Sequence, residues 1–362
     1  MKIVNILVRW LVGLLFIFSG LIKANDPSGL SYKMQEFFEV WGWHGLHDYT
    51  LLFAMGMNLL EVVAGIALIV NWRLKQTSWL LLLLIIFFSF LTGYALLSGK
   101  IKTCGCFGDC LPLTPLQSFI KDLLLLVLIV YILISIRKIK QSINAKYKTG
   151  IVLIAFLLTM GLQWYVLQYL PVRDCLPYKK GNDILQQMQI PTGSVPDSSV
   201  AYFKYKKNNQ LVEFDQEHFP ADFDSTYEYV DRYDKLIRKG NAVAPIAAFS
   251  FLTQEGNDTT AAIFSLQEYY LIIAQDFSRV GDWKNKTFNA LTQQWNQEKK
   301  PWFIVTADAA SANTYFKKEN ILLCDATVLK TAARVNATYF VMKGSQIENK
   351  LSYKNAAQLL KP

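Results

Sequence analysis

The sequence predicts an α-helical membrane bundle of about five transmembrane helices, followed by a C-terminal α/β domain. Nearly all long, uncharged apolar stretches precede residue 171. Five of these stretches reach the roughly 20 residues that a helix needs to cross the hydrocarbon core of a bilayer. The remainder alternates short apolar runs with helical patterns, which is typical of a small α/β sheet. The predicted spans are 3–22, 51–70, 78–97, 116–136 and 151–170.

The basic residues predict the orientation of the bundle. The second loop holds Arg73 and Lys75 and the fourth holds a longer basic run, with no acid in either, so both loops are expected in the cytoplasm. The first span continues into FSGLIKANDP without a cleavage pattern and is interpreted as a retained helix whose start is cytoplasmic. The first loop, the third loop and everything after 170 then lie outside the bacterial inner membrane, in the periplasm. The fourth loop's basic residues are Arg137, Lys138, Lys140, Lys146 and Lys148.

The net charge of +9 therefore reports topology and contact with membrane lipid, and we predict no nucleic-acid partner. Residues 25–50 mix aromatic with polar side chains, as in a short helix lying at the outer interface. The predicted domains are a membrane bundle at 1–174, a neck and small β segment at 175–240, and an α/β domain at 241–362.

The C-terminal elements follow from the periodicity. A hairpin is predicted at 201–215 around the turn Asn208-Asn209, with a further strand at 227–237. The α/β part follows, and its elements alternate along the chain. Its predicted strands are 247–252, 269–274, 302–306, 321–324 and 338–342, and its helices are 283–297, 311–318 and 326–334.

The third loop, GKIKTCGCFGDCLPLTP, carries the sharpest chemical motif of the chain. Cys104 and Cys106 are one residue apart, so a disulfide between them would be strained and therefore labile. Such a pair could pass electrons between the thiols of a partner protein and a membrane acceptor. Two other readings stay open: the thiols are buried and inert, or each pairs with a different cysteine in a structural bond.

The remaining cysteines have a simpler interpretation. Cys110 and Cys175 flank the same outer rim of the bundle, one before the fourth span and one after the fifth. A structural disulfide between them is favoured over a bond from Cys104 or Cys106 to Cys175, because it leaves the Cys-Gly-Cys pair intact. Cys324 lies in a predicted buried strand and is expected to be a packed free thiol.

Glu61 lies near the middle of the second span, with Asn58 on the same face. A carboxyl group at this depth is costly, so it should face the bundle interior and be paired or protonated. It could handle protons or contact a quinone, or it could be a polar packing clamp. Its candidate partners are Arg9, Tyr94 and Gln163.

Other polar residues in the bundle are given structural roles. Lys23, Lys121 and Asp122 are expected to form ordinary ion pairs at the outer helix ends. His44 and His47 are expected to anchor the chain at the interface, and no metal site is predicted.

Three motifs carry a resemblance to a known family. FIFSGLIKANDPSG, Glu61, and CGCFGD followed by LTPLQSFIKD together resemble the MauE branch of the DoxX-like membrane proteins over about residues 10–135. That resemblance implies a four-helix bundle, with a fifth segment in some members. It also implies a role in maturing a disulfide-rich periplasmic enzyme beside a thioredoxin-like partner. Cys104 and Cys106 take the positions of the family's cysteine pair.

The C-terminal domain resembles the thioredoxin-like domains fused behind such bundles in Bacteroidetes. An active thioredoxin would carry C-x-x-C after the strand EYYLIIAQDF, where this chain has FSRVGDW, and the family's cis-proline is missing from RVNATYF. The resemblance thus implies a thioredoxin-like fold without its dithiol, used for binding.

Two functions from different classes follow. The first is a thiol redox or maturation factor for envelope proteins, a possible thiol-disulfide oxidoreductase, in which Cys104 and Cys106 exchange and Glu61 serves an acceptor such as a quinone. The second is a non-enzymatic scaffold whose outer domain binds an envelope partner. A transporter is a weaker third option, because the spans show neither paired Gly or Pro breaks nor an inverted repeat.

Overall fold

The computed structural model describes residues 2–99, 101, 105–136, 145–196, 198–238, 240–277 and 285–360. Two compact units emerge, one formed by Met1–Gly181 with Ser250–Pro362 and the other by Asn182–Phe249. The first unit contains both the apolar helices and the α/β sheet, so these two parts pack as one body.

Five helical segments among the described residues are long and apolar enough to cross a membrane, and they coincide with the five predicted spans. This places the protein in a membrane as a multi-pass chain whose apolar outer surface contacts lipid. The helices of this part are α1 (Lys2–Ala24), α2 (Pro27–Val40), α3 (Thr50–Ile69), α4 (Leu74–Ser98), α5 (Pro115–Ser135) and α6 (Ala145–Tyr169).

Local sequence sets where two of these helices begin. Asp26 caps α2, its carboxylate accepting a hydrogen bond from the Gly29 N–H at 2.9 Å, and Pro27 occupies the first turn. Thr114 and Gln117 form a reciprocal capping box at the start of α5. The sequence D-P-S-G therefore starts the interfacial helix and T-P-L-Q the fourth span.

Helices α1 and α3 pack closely because glycines line their contact. A Cβ atom added to Gly13 would lie 2.8 Å from the Gly65 carbonyl oxygen, and one added to Gly65 would lie 2.7 Å from the Gly13 carbonyl oxygen. Small residues at such positions let helix backbones approach in an apolar solvent. The close contact sets Lys23 on α1 beside Glu61 on α3.

The α/β sheet has five strands in the order β6-β5-β4-β7-β8. The first three run parallel, and β7 and β8 run antiparallel to their neighbours, an arrangement compatible with a thioredoxin-like domain. Trp295 stacks on Tyr270 at 4.0 Å between ring centroids in its core. The strands are β4 (Tyr269–Ile273), β5 (Trp302–Thr306), β6 (Ile321–Leu323), β7 (Thr338–Lys343) and β8 (Gln346–Ser352), and the helices are α8 (Thr260–Phe264), α9 (Lys286–Gln297), α10 (Ala309–Tyr315) and α11 (Ala326–Ala332).

Two details of this sheet differ from the sequence prediction. The run 247–252 forms no strand; only Leu252 bridges, to Asp258 and Leu323, because the chain turns back at Gly256 with φ of +86°. Strand β8 was not predicted, since its alternate positions are polar and its apolar face is confined to a few residues such as Ile347.

The second unit contains α7 (Ile184–Gln187) and an antiparallel sheet of β1 (Ser198–Lys207), β2 (Gln210–Asp215) and β3 (Glu228–Arg238) in the order β2-β1-β3. Asn208 and Asn209 make the predicted tight turn, with φ of +51° and +65°. Tyr205 and Phe214 stack at 5.4 Å between ring centroids within an aromatic cluster on the sheet.

Candidate functional site

The loop between α4 and α5 places Cys106 against the bundle. The Ser19 hydroxyl on α1 donates a hydrogen bond to the Cys106 carbonyl oxygen at 3.0 Å, and Phe107 packs on Phe18. Cys106 is half-buried and forms no disulfide with any residue that the structure describes. Its predicted partner Cys104 lies outside the described residues. The exchange between the two cysteines therefore stays a prediction.

Charged groups surround the Cys106 thiol. Burial raises the pKa of this thiol; the positive charge of Lys121 lowers it, Asp122 raises it, and Lys23 lowers it. The net direction is upward, so the thiol holds its proton at neutral pH. The two lysines are nevertheless placed to stabilise a thiolate once the proton leaves.

Glu61 is paired, but not with a predicted partner. It forms an ion pair with Lys23, and the two side chains are 1% and 3% exposed. The other carboxylate oxygen, Oε2, has no hydrogen-bond partner among the described residues. A second ion pair joins the half-buried Lys121 to the fully buried Asp122 at 2.7 Å, and Thr92 donates to the same carboxylate at 3.1 Å.

The three partners predicted for Glu61 are wrong because each is engaged elsewhere. Arg9 donates to the carbonyl oxygens of Leu68 and Ile69 at the opposite end of α3. Gln163 accepts a hydrogen bond from Asn58 at 3.1 Å, and Tyr94 packs edge-on against Trp41. Lys23 was assigned to the helix end, but the close approach of α1 to α3 carries its side chain into the bundle interior.

Cys110 and Cys175 are joined by a disulfide with 4.9 Å between their Cα atoms, which is the pairing that the sequence analysis favours. The bond ties the loop before α5 to the segment after α6. Cys324 is a buried free thiol whose pKa is raised to about 12 by burial. It is therefore a poor nucleophile at neutral pH.

The α/β domain contacts the same end of the bundle through buried ion pairs. Arg334, 6% exposed, donates to Asp26 at 2.8 Å and to Asp109 at 2.7 Å. Lys350, 4% exposed, contacts Asp174 at 2.6 Å. The α/β domain is thus held against the loop that contains Cys106.

Two segments of the α/β domain, FSRVGDW and RVNATYF, are those in which an active thioredoxin would carry its dithiol and its cis-proline. Residues 278–284, which hold most of FSRVGDW, lie outside the described residues. The peptide bond between Asn336 and Ala337 is cis although no proline is present, and it immediately precedes β7. Arg334, which binds Asp26 and Asp109, lies two residues before this bond.

Two segments of the chain match models of known protein families. Residues 1–135 match the model of the family described as methylamine utilisation protein MauE. The membrane half is MauE-like. This match shows the MauE part of the resemblance and does not show the DoxX part. Residues 200–239 match a domain of unknown function, and this match covers most of the three-stranded sheet.

The chain is also 31% identical to protein TlpB of Flavobacterium psychrophilum over 152 residues, which is 40% of this chain. The match spans 41% of the length of TlpB, so less than half of either protein is covered. No solved structure matches the chain significantly.

The sequence indicates an ion-pairing Lys23 but not its pairing with Glu61, and it gives no sign of the contacts of Arg334 with the bundle. Lys23 could have been found from its place at the end of an uninterrupted apolar helix, where a lysine facing inward needs an acid. Arg334 gave no such indication, because a single arginine in a soluble domain is ordinarily exposed.

Proposed function

We propose that the protein is a thiol redox or maturation factor of the bacterial inner membrane that acts on envelope proteins. Cys104 and Cys106 are the exchanging pair, facing the periplasm, and the outer domain holds the client protein. The observation that carries the proposal is the position of Cys106 near Lys23 and Lys121, in the loop whose Asp109 is bound by Arg334 of the α/β domain. The similarity to MauE and to TlpB supports the same role.

The proposed reaction has two balanced steps. A Cys104–Cys106 disulfide accepts two electrons and two protons from a client dithiol, which leaves the client oxidised and the pair reduced. A membrane acceptor such as a quinone then takes two electrons and two protons from the pair, and the disulfide re-forms. In the first step a client thiolate attacks the Cys104–Cys106 disulfide, and the charges of Lys121 and Lys23 stabilise Cys106 as the leaving thiolate.

Glu61 has a place in the second step. Its carboxylate is buried, paired with Lys23 on one oxygen, and without a hydrogen-bond partner among the described residues on the other. Such a group can pass a proton towards an acceptor inside the bundle. Substitution Glu61→Gln keeps the shape and removes the titratable group.

The test is a trapping experiment in the native host. In a Cys106→Ser variant the Cys104 thiolate can attack the disulfide of an oxidised client, in the reverse of the first step, and no second thiol is left to resolve the product. Mixed disulfides between Cys104 and clients should therefore accumulate and be visible on non-reducing gels. Cys324→Ser is the matched control, because it removes a buried thiol outside the loop. If the Cys104→Ser, Cys106→Ser double variant leaves the oxidation state of client thiols and cell growth unchanged, the redox proposal is wrong.

The orientation on which the proposal depends is tested separately. Reporter fusions placed after residue 115 and after residue 175 should report a non-cytoplasmic location for both. A cytoplasmic signal at either fusion would remove the loop from the oxidising compartment, where disulfides persist.

A second candidate function is a non-enzymatic scaffold that anchors an envelope-binding domain. Two observations favour it: burial raises the pKa of the Cys106 thiol, and the sequence of the outer domain lacks C-x-x-C. A partner protein that co-purifies equally well with the wild type and with the Cys104, Cys106 double variant would support the scaffold.

A further inference from the structure

An apolar cavity of about 460 Å³ lies between α2, α3 and α4. Its volume falls within the range of about 300–1,000 Å³ that small-molecule sites have. Several of its lining side chains, including Leu52, Phe53 and Leu60, are exposed at the outer surface of the bundle, so it opens towards lipid. Among the described residues, its lining is uncharged and includes the rings of Phe37, Phe38, Trp41, Trp43, Phe53 and Phe87.

The cavity continues towards Cys106. A second, narrower space of about 30 Å³ shares four lining residues with it and is closed at its far end by Lys23, Thr92 and Cys106. This volume admits one or two water molecules but no ring. The shared residues are Met34, Phe37, Met57 and Leu91. Because two are methionines, whose unbranched side chains change conformation readily, the passage can widen.

The far end of the narrow space is polar. Lys23 lines it and lies 4.7 Å from the Phe88 ring centroid, while its ammonium group pairs with Glu61. Glu61 is 1% exposed, and its Oε2 atom has no hydrogen-bond partner within the described parts of the chain. An unsatisfied buried carboxylate oxygen is costly unless a protonated group or ligand completes it. Lys23, paired with the buried Glu61, therefore places a hydrogen-bond donor at the end of an aromatic passage.

We propose that this cavity is the binding site of an isoprenoid quinone, with its tail leaving between α3 and α4 and its ring turned towards Lys23 and Cys106. The aromatic walls match a planar ring, the exposed opening matches an apolar tail, and Lys23 can donate to a carbonyl oxygen of the ring. The assignment rests on the proposed function, in which the pair at Cys104 and Cys106 is oxidised to a disulfide. Two electrons and two protons then pass to the quinone, which leaves as the quinol.

Gly56 offers a direct steric test. It lines the cavity, and a Cβ atom added to it would meet no atom within 4 Å, so Gly56→Leu fills the space without disturbing the helices. Gly161 on α6 is the matched control, since an added Cβ there is equally free of contacts and lies outside the cavity lining. Both changes replace a helical glycine by a better helix former.

The measurement is saturable quenching of tryptophan fluorescence by decylubiquinone, using the full chain in lipid nanodiscs. We expect Gly56→Leu to raise the half-saturating concentration by at least about tenfold, and Gly161→Leu to leave it within about twofold of the wild type. If Gly56→Leu does not incorporate into nanodiscs, Leu60→Trp obstructs the same opening. Equal binding by the wild type and the obstructed variant would overturn the site. Non-saturable quenching of the wild type would also overturn it, because such quenching reports only partitioning of the quinone into lipid.

A second readout separates this site from the redox proposal. Binding should persist in a Cys104→Ser, Cys106→Ser variant, whereas quinol formation from a reduced protein should be lost. If Gly56→Leu weakens quinone binding but the cysteine changes leave quinol formation unaffected, the quinone site stands and the proposed redox function is wrong. If the protein exchanges thiols with a client but binds no quinone, the redox function stands and the quinone site is wrong.

Discussion

Arg334 offers the sharpest test of how the α/β domain is held to the membrane bundle. Its guanidinium is 6% exposed and bonds to two carboxylates, Asp26 at 2.8 Å and Asp109 at 2.7 Å. The Arg334→Met variant keeps most of the apolar stem and removes the charge, which leaves the largely buried Asp26 without its cation. Breaking a buried pair in this way costs about 3–5 kcal/mol.

The two acids should not contribute equally. Asp26 is 15% exposed and Asp109 is 44% exposed, so solvent screens the second contact more strongly. We expect Asp26→Asn to cost about 2 kcal/mol, in line with a hydrogen bond between charged groups. Asparagine still caps α2, so this change isolates the charge. Asp109→Asn should cost no more than about 1 kcal/mol.

Hydrogen exchange of the buried β4 amides, followed by mass spectrometry in nanodiscs, measures the free energy of opening of the α/β domain. The predicted order of destabilisation is Arg334→Met, then Asp26→Asn, then Asp109→Asn. An effect of Arg334→Met below about 1 kcal/mol, or a larger effect for Asp109 than for Asp26, would refute the assignment of buried and screened contacts.

Three further predictions concern the bundle and its loop. Lys23→Met should destabilise the protein in nanodiscs by about 3–5 kcal/mol, because it leaves the buried Glu61 carboxylate without its cation. Adding Glu61→Gln should restore most of the melting temperature, and no restoration would argue against the ion pair. The alkylation rate of Cys106, read from the mass of its peptide, should be slower than that of glutathione at neutral pH and should keep rising above pH 9, because burial raises the pKa of the thiol; a plateau near neutrality would contradict this. Replacing Cys110 and Cys175 by serine should lower the thermal stability by up to about 4 kcal/mol on the chain-entropy scale, since the bond closes a separation of 65 residues; an unchanged melting temperature would show that the bond constrains little.

The membrane part of the fold could be predicted from sequence because the bilayer imposes a length and an apolar composition on each helix. The five predicted spans agree with the five apolar helices to within about five residues; in the second, a short 3₁₀ helix, His44–Tyr49, directly precedes α3 and lengthens the apolar segment. The strands β4, β5 and β7 were predicted for a similar reason, since central strands read as continuous apolar runs. The mixed pattern of β8 does not indicate a strand, and the apolar run 247–252 predicts one wrongly because apolar content alone does not show a turn.

For the candidate site too, the sequence identifies individual unusual residues but not the contacts between them. The sequence determined that Cys104, Cys106 and Glu61 are unusual residues for their surroundings, because thiols one residue apart and a mid-helix acid each carry a chemical cost that is visible without coordinates. It also favoured the bond between Cys110 and Cys175, which are 65 residues apart in the chain and adjacent in the structure.

Partners across space were decided only by the tertiary structure. Lys23 pairs with Glu61 because glycines let α1 and α3 approach, and Arg334 contacts Asp26 across 308 residues of chain because the α/β domain packs on the bundle end. Periodicity and composition report which solvent a segment prefers, since each residue interacts with that solvent independently. Pairing depends on the packing of whole elements, and no local pattern of residues encodes it.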